Sequence, residues 1–369
     1  MDSPFSHDYA EARDKFRAGV TAAGAEIETF LLDHRGPNDL DLTTDTAWVG
    51  PRDARAVLVT VSGTHGVEGF FGSAVQVEWL RRSKGAPLPE GVAALHIHAI
   101  NPYGFSWLRR TNEDNVDINR NWMDFDGPLP ANPAYDEISK DLCPSDWSAT
   151  TQQETWQRLQ GWIDRHGFAA FQKAVSGGQW THASGLFYGG RSTSWSRNTL
   201  TSIVTANLAR ASRICLLDFH TGLGPYGYAE PIIGQRRTDP AFVRARSWIG
   251  GGAKSLFGDG SASAEIKGDS LTALPGLLPH ATVDAVALEC GIRPILEVAQ
   301  ALRADAWLHA HGDPFADTAK PIKHTIRAAF HSDDPLWQGM ALGQGIAACR
   351  AAIGGLAAGS AVESSHVES

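Results

Sequence analysis

The chain has 369 residues, of which 43% are hydrophobic and 20% are charged, and its formal net charge is −9. This composition is ordinary for a globular protein whose core fills one large α/β domain or two smaller ones. The acidic balance, without a basic block, argues against nucleic-acid binding as the main task. We find no apolar run near the roughly 18 residues of a transmembrane helix and no secretory signal, so we expect a cytoplasmic protein without a membrane partner.

The first half of the chain predicts strands that alternate with helices. The predicted elements are a helix over 10–21, strands over 26–33 and 40–49, a strand over 56–61, a helix over 69–82 and a strand over 93–100. The first two strands are expected to pair as a hairpin at a sheet edge. The last two enclose a helix, and this order predicts parallel pairing through a right-handed crossover.

The second half predicts a long insertion before the sheet is completed. The predicted elements are a loop over 124–147, two helices within 152–174, a glycine-rich loop over 177–196, a helix over 199–211, strands over 214–219, 230–233 and 283–290, and helices over 295–311 and part of 318–332. We therefore predict one α/β domain over 1–353, built on a central mixed, largely parallel sheet flanked by helices. Its insertion spans about 124–211, and a disordered tail spans 354–369.

Two histidines and a glutamate form a candidate metal site. His65 and Glu68 lie in a glycine-flanked turn directly after the strand over 56–61, and His220 ends the apolar run over 214–219. Two imidazoles and one carboxylate, with a fourth position open to water, are ligands of a catalytic zinc. The ends of strands in α/β sheets are also where active sites lie. The His-x-x-Glu motif alone is weak evidence for a metal site, since a lone histidine is more often structural. The prediction rests on its context, because both ligand groups follow apolar strands and lie in glycine-flanked turns.

Two further segments carry candidate chemistry. Arginines and asparagines are concentrated in 108–122, and arginine binds carboxylates and stabilises oxyanions; a solvated loop with salt bridges is the alternative. Glu289 lies within an apolar strand, where burial would raise its pKa toward that of a general base, unless its side chain points to water. His96 and His98 share one face of a strand, where satisfied structural histidines are favoured over a second metal site.

These motifs occur together in one order along the chain. His65-x-x-Glu68, Arg109, Asn119-Arg120, His220 and Glu289 resemble, in that order, the motifs of zinc metallocarboxypeptidases, and residues 117–122 resemble the family's substrate-carboxylate motif. The resemblance covers about 57–291 and extends to aspartoacylase and succinylglutamate desuccinylase of the same superfamily. The chain looks most like a poorly characterised bacterial branch of it. A metallocarboxypeptidase-like fold is thereby implied.

The resemblance also implies a role for each matching residue. His65, Glu68 and His220 would hold one Zn²⁺. Glu289 would activate a water and return its proton to the leaving amine, and Arg109 would stabilise the oxyanion. Asn119 and Arg120 would bind a substrate carboxylate, and Arg110 could serve an acidic acyl group. Asp218 would share the face of His220 and hold a ligand in place.

The expected activity is hydrolysis of an amide bond, in a peptide or an N-acyl amino acid, next to a free carboxylate. The tyrosine that closes on substrate in typical carboxypeptidases has no obvious match, although Tyr226 or Tyr228 could approach the site. Carboxypeptidase, N-acyl-amino-acid deacylase, esterase or lactonase, and a non-catalytic binding protein therefore stay open, as do cobalt or manganese as the metal and a homo-oligomer. We expect parts of 177–196 and 258–278 to line the substrate pocket. The aromatic residues of the first segment either cover the cleft or form the core of a small subdomain.

Overall fold

A computed structural model describes residues 3–83, 87–258 and 260–367, with side chains as far as residue 358. Eight of its strands form one mixed sheet. They are β1 (Glu26–Arg35), β2 (Asp41–Val49), β3 (Ala56–Ser62), β4 (Val92–His98), β5 (Arg213–Tyr226), β6 (Ala229–Ile233), β7 (Lys254–Ser255) and β8 (Thr282–Gly291). Their order across the sheet is β1-β2-β4-β3-β5-β8-β6-β7.

Helices cover both faces of the sheet and one end of it. They are α1 (Tyr9–Ala22), α2 (Gly69–Ser83), α3 (Pro102–Ser106), α4 (Pro133–Leu142), α5 (Ala149–His166), α6 (Phe168–Ser176), α7 (Trp195–Asn207), α8 (Pro240–Ile249), α9 (Ser270–Leu277), α10 (Ile295–His311), α11 (Ala319–Phe330) and α12 (Pro335–Val367).

The centre of the sheet is parallel and its margins are antiparallel. β3 pairs in parallel with β4 and β5, and β5 pairs in parallel with β8. The pairs β1–β2, β2–β4 and β6–β8 are antiparallel. Every residue of β3 is buried, as expected for a strand covered by helices on both faces. The predicted α/β class, the edge hairpin and the parallel crossover are confirmed.

The three largest hydrophobic clusters among the described residues organise most of the core. The first joins one face of the sheet to α2, α8 and α12, and the second, here called the α9 cluster, joins the other face to α7 and α9. The third, here called the helical cluster, is formed by side chains of α4, α5, α6, α10 and α11 together with Leu186 and Phe187. It reaches the sheet through Val67, in the turn that follows β3, and through Phe330, whose carbonyl accepts a 2.7 Å hydrogen bond from Thr221 Oγ1.

The structure differs from the sequence predictions at several elements. Residues 133–142, predicted as loop, form α4, because Asn132 caps the helix, Pro133 occupies its first turn, and Tyr135, Ile138 and Leu142 are buried. The helices α3, α8, α9 and α12 and the short β7 were not predicted. The predicted tail begins at 354, but α12 continues through this point, where Leu356 packs into the first cluster. Residues 368–369 lie outside the described residues.

The last helix also corrects the prediction that no apolar stretch approaches a membrane-spanning length. Among the described residues, Pro335–Ala358 is long and apolar enough, by length and composition alone, to cross a membrane. In this helix, 44% of an apolar 18-residue stretch is buried inside the protein. Trp337, Ala341 and Ala352 of this helix belong to the first cluster. Core helices meet the same criterion, so length and composition alone carry no further conclusion.

Candidate metal centre

The turn that carries His65 and Glu68 is fixed by its own backbone. Gly66 N donates to the Arg110 carbonyl at 3.2 Å, and Val67 N donates to the Arg109 carbonyl at 2.8 Å. A Cβ on Gly66 would lie 2.0 Å from the carbonyl carbon of Gly104, so this close approach requires glycine. The turn therefore packs directly against the loop that contains Arg109 and Arg110.

His220 reaches the same place from the neighbouring strand. β5 runs parallel to β3, with Phe219 beside Ser62, so His220 emerges next to the turn after β3. One donor atom from each of His65, Glu68 and His220 lies within 4.8 Å of the other two, and all three residues are buried. The three predicted ligands are thus brought together.

The spacing of the donor atoms suits a small tetrahedral cation. Glu68 Oε1 lies 3.1 Å from His65 Nδ1, Glu68 Oε2 lies 3.0 Å from His220 Nδ1, and the two Nδ1 atoms are 3.2 Å apart. Zinc bonds of about 2.0–2.1 Å in a tetrahedron would separate the ligand atoms by about 3.3 Å. Two imidazole nitrogens that face each other beside a carboxylate are also the donor chemistry that zinc prefers.

The outer nitrogen of His220 is held by an aspartate, and that of His65 lies between an aspartate and Arg110, whose Nη2 is 2.9 Å away. His65 Nε2 lies 3.2 Å from Asp117 Oδ1, and His220 Nε2 lies 2.9 Å from Asp218 Oδ2. Thr64 Oγ1 donates to Asp218 Oδ1 at 2.8 Å. Such carboxylates fix the ring orientation and direct the other nitrogen toward a metal. The position expected for Asp218 is observed, whereas Asp117 had no predicted role, although it opens the recognised carboxylate motif.

The charges around the three ligands favour a bound cation. Burial opposes the charge of Glu68, but His65, His220 and Arg110 hold its pKa below the usual range. Burial alone would lower the pKa of His220, but Asp218 and Glu68 raise it well above its ordinary value. The same carboxylates that stabilise a proton on this imidazole would stabilise a metal ion in its place.

Arg110, and not Arg109, faces the cluster. Arg110 Nη1 donates to Glu68 Oε1 at 3.0 Å and Arg110 Nε donates to Asp117 Oδ2 at 2.9 Å. Arg109 is turned away, with its Nε 3.4 Å from Asp305 Oδ2 and its Nη2 donating to Asn115 at 2.8 Å. The structure does not bring Arg109 to the site, so its position does not support the predicted role in stabilising an oxyanion, and Arg110 is the arginine that faces the ligands.

Asn119 and Arg120 line the cavity beside the cluster. Asn119 Oδ1 accepts hydrogen bonds from Ser270 N and Oγ, at 3.2 and 3.0 Å. Arg120 donates from Nε to the Ser176 carbonyl at 3.1 Å and lies 5.4 Å from the ring centre of Phe187. Its nearest carboxylate contact is Asp117, at 3.9 Å, and burial lowers its pKa to about 10. Among the described residues, the Arg120 guanidinium therefore forms no tight ion pair.

Glu289 lies next to His220 across two strands. The two residues are register partners on β8 and β5, so their side chains leave the same face of the sheet. Glu289 lines the cavity, and its Oε1 accepts a hydrogen bond from Leu223 N at 3.0 Å. Burial and the negative charge of Glu68 raise the pKa of Glu289 to about 7. Its side chain therefore does not point to bulk water, contrary to the alternative left open by the sequence.

Tyr226 lies away from the cluster. It is 45% exposed, and its hydroxyl donates to Asp334 Oδ2 at 2.7 Å. It is not among the residues that line the cavity. The side chain points instead to the segment between α11 and α12, so its predicted contact with substrate is not supported by its position.

The cavity beside the cluster measures about 130 Å³ and is lined mostly by apolar side chains. Leu186 and Phe187 of the predicted wall segment 177–196 line it, as do Ser263, Ile266 and Leu271 of 258–278. Phe187 lies beneath both Arg110 and Arg120, at 4.9 and 5.4 Å from its ring centre. Of the other aromatic residues of that segment, Trp180 and Tyr188 are buried and Trp195 is partly buried, and none of the three lines the cavity.

Comparisons with known proteins give one family and a set of similar structures. A family model described as "Protein of unknown function (DUF2817)" matches residues 5–344. No curated protein matches the chain. Carboxypeptidase A from Helicoverpa armigera is similar at 11% identity and a TM-score of 0.49, over 89% of this chain and 75% of that one.

Two bacterial structures are also similar. A protein from Shewanella denitrificans, described as a "putative metallopeptidase", has 14% identity and a TM-score of 0.41, over 89% of this chain and 97% of that one. A Shewanella amazonensis "putative succinylglutamate desuccinylase / aspartoacylase family protein" has 16% identity and a TM-score of 0.37, over 78% and 73%. Both enzyme types named by the sequence resemblance thus occur among the similar structures. All three scores lie below 0.5, so the function must be inferred from the site itself.

Proposed function

The chain belongs to the DUF2817 family, and we propose that it is a zinc-dependent hydrolase that cleaves an amide bond next to a free carboxylate. The observation that carries the proposal is the convergence of the His65, Glu68 and His220 donor atoms within 4.8 Å, at a cavity that Glu289 and Arg110 also line. A metal site, a buried carboxylate and two cations around one cavity are the parts that water-mediated amide hydrolysis needs.

His65, Glu68 and His220 would hold the ion. A zinc ion bound there would polarise a carbonyl and lower the pKa of a water to about 7. Asp117 and Asp218 would keep the outer nitrogen of each imidazole occupied, so that both Nδ1 atoms stay directed at the ion.

Glu289 would move the proton. Its neighbour across the sheet is His220, so its carboxylate is adjacent to the ligands, and the Leu223 amide holds one of its oxygens. It would accept a proton from the attacking water at its other oxygen and deliver that proton to the leaving nitrogen.

Arg110 and the Asn119–Arg120 pair would bind the two charged parts of the substrate. Arg110 lies against Glu68, so its guanidinium would be adjacent to the carbonyl oxygen that gains charge during attack. Arg120 has its guanidinium anchored to backbone carbonyls at the cavity wall, and it would bind the substrate carboxylate with Asn119.

The test measures the metal content and the hydrolytic activity of the same purified proteins. We expect the purified wild type and Glu289→Gln to hold about one zinc each, and only the wild type to release products from a mixed library of peptides and N-acyl amino acids. The library also separates a carboxypeptidase from a deacylase, because each releases different products.

Glu230→Gln is the matched control. Glu230 is the register partner of Glu289 on β6 and is also buried, but its carboxylate accepts from Ser261 and Ala262. We expect this variant to keep its activity, so that a loss in Glu289→Gln is assigned to the reaction. A wild type that binds no transition metal would overturn the proposal.

A further inference from the structure

The cavity has two apolar walls that belong to different hydrophobic clusters. Ile232, Leu256 and Leu271 come from the α9 cluster. Phe171 and Leu302 come from the helical cluster. The metal ligands and the charged residues line the same cavity as both walls, so a bound substrate would meet apolar surface from each cluster.

The α9 wall, formed by the cavity-lining residues of the α9 cluster, adjoins Asn119 of the proposed carboxylate site, whereas the Arg120 guanidinium reaches the Ser176 carbonyl at the end of α6. Ser270, at the start of α9, bonds Asn119 through both its amide and its hydroxyl. The Gly268 carbonyl accepts from Trp122 N, and a Cβ on Gly268 would lie 2.7 Å from the Arg120 carbonyl oxygen. The segment 268–271 therefore wraps around Asn119 and Arg120.

Part of the second wall, here called the α10 wall, is formed by α10. This helix begins four residues after the end of β8, the strand that contains Glu289. Ile295, Leu296 and Ala299, in its first turns, line the cavity and are only half-buried. The charged residue of this helix at the cavity is Arg303, and its guanidinium already donates to the Leu142 and Asp141 carbonyls and to Thr155. This wall thus offers apolar surface and no charge that needs a partner.

Resting on the proposed function, we propose that the α10 wall binds the acyl side of the substrate, and that the preferred acyl group is apolar and larger than acetyl. With the carboxylate held at Asn119 and Arg120, between the α9 wall and the end of α6, the part of the substrate on the other side of the scissile bond would extend along the remaining apolar wall, toward α10. Unpaired polar or charged acyl groups would lose their hydration against Ile295, Leu296 and Ala299 without gaining a partner. Acidic acyl groups are therefore disfavoured.

Hydroxamic acids test this wall without turnover, because a hydroxamate binds a metal ion while its acyl chain samples the pocket. The probes are acetohydroxamic and hexanohydroxamic acid, titrated by calorimetry into the zinc-loaded wild type, Ala299→Phe and Glu297→Phe. Glu297 lies on the same helix and is exposed, so it controls for added bulk. Each buried methylene strengthens binding about fourfold, so we expect the longer acid to bind the wild type at least about tenfold more tightly.

The expected pattern separates the two proposals. Ala299 lines the cavity but is not one of the three proposed metal ligands.

 

Ala299→Phe should abolish the preference for the longer chain and leave acetohydroxamate binding unchanged, because the added ring fills the space that the chain would occupy. Glu297→Phe should bind both acids as the wild type does. Equal affinity of the zinc-loaded wild type for the two acids would overturn the acyl pocket and leave the proposed function intact. Failure of the wild type to hold zinc would overturn both.

A second variant decides the case if Ala299→Phe does not fold or weakens both acids alike. Leu296→Asp places a charge in the same half-buried wall without adding bulk. We expect it to lose the chain-length preference while acetohydroxamate binding persists. Retention of the preference in this variant would overturn the assignment of the wall.

Discussion

Asp117→Asn removes one buried negative charge from the centre of the site while keeping the shape of the side chain. The carboxylate lies 3.2 Å from His65 Nε2, accepts from Arg110 Nε at 2.9 Å, and accepts from the Asn119 amide at 3.0 Å. Burial opposes its charge, but Arg110, Arg120 and His65 hold its pKa well below the ordinary range. It is therefore ionised wherever the protein is folded near neutral pH.

The substitution is expected to weaken metal binding in a measurable range. Loss of a carboxylate that orients a ligand histidine lowers metal affinity about 10–100-fold, which is about 1.4–2.7 kcal/mol. Breaking the buried pair with Arg110 is also expected to lower the free energy of unfolding by up to about 3–5 kcal/mol. Competition with a chelator of known zinc affinity measures the first quantity, and urea denaturation of the metal-free protein measures the second.

Asp305→Asn is the matched control for that experiment. Asp305 is also buried and also pairs with an arginine, Arg109, and with Lys323 at 2.6 Å, but it touches none of the three ligands. We expect a loss of stability with unchanged zinc affinity. The reasoning is refuted if Asp117→Asn binds zinc as tightly as the wild type, or if Asp305→Asn loses as much affinity as Asp117→Asn.

Three further predictions concern the arginines, the turn and acid stability. Arg110→Lys should lower kcat/KM about 10²–10³-fold in steady-state assays, whereas Arg109→Lys should not, and equal losses would contradict the assignment. Gly66→Ala should lower the free energy of unfolding by about 1–3 kcal/mol in urea, because its Cβ would meet the backbone of Gly104; an unchanged midpoint would be inconsistent with this contact. Burial lowers the pKa of His98 to about 4. The contribution of His98 to the free energy of unfolding is therefore complete above the unfolded pKa of about 6.5, and it falls by about 1.4 kcal/mol per pH unit as the pH drops toward 4. His98→Gln should show a correspondingly shallower fall between pH 6.5 and 5, and an identical slope would contradict this role of His98.

The sheet and the metal ligands could be predicted because their signals are local. Apolar runs mark β3, β5 and β8, and the ligands His65 and His220 follow or end two of these runs. The helix α9 was missed because it is short and contains Pro275, which contradicts a helical pattern. α4 was missed because its capping and first-turn residues, Asn132 and Pro133, also occur in loops.

The choice between Arg109 and Arg110 could not be made from the sequence. Consecutive side chains point in predictable directions only within a regular helix or strand. Here the chain is irregular, and Leu108 has a φ of 51°, so no periodicity indicates which arginine faces the ligands. The burial of Arg109 against Asp305 is a contact across 196 residues, which a local pattern does not contain.

The main-chain hydrogen bonds from Gly66 and Val67 to the carbonyls of Arg110 and Arg109 have an evolutionary consequence. Exchange of either arginine alters the charge near the cavity but leaves the carbonyl acceptors in place. The ligand turn therefore keeps its position while the neighbouring side chains change. We therefore expect family members with other residues at these two positions to keep the geometry of the ligand cluster, even where the loss of Arg110 lowers the rate of the proposed reaction.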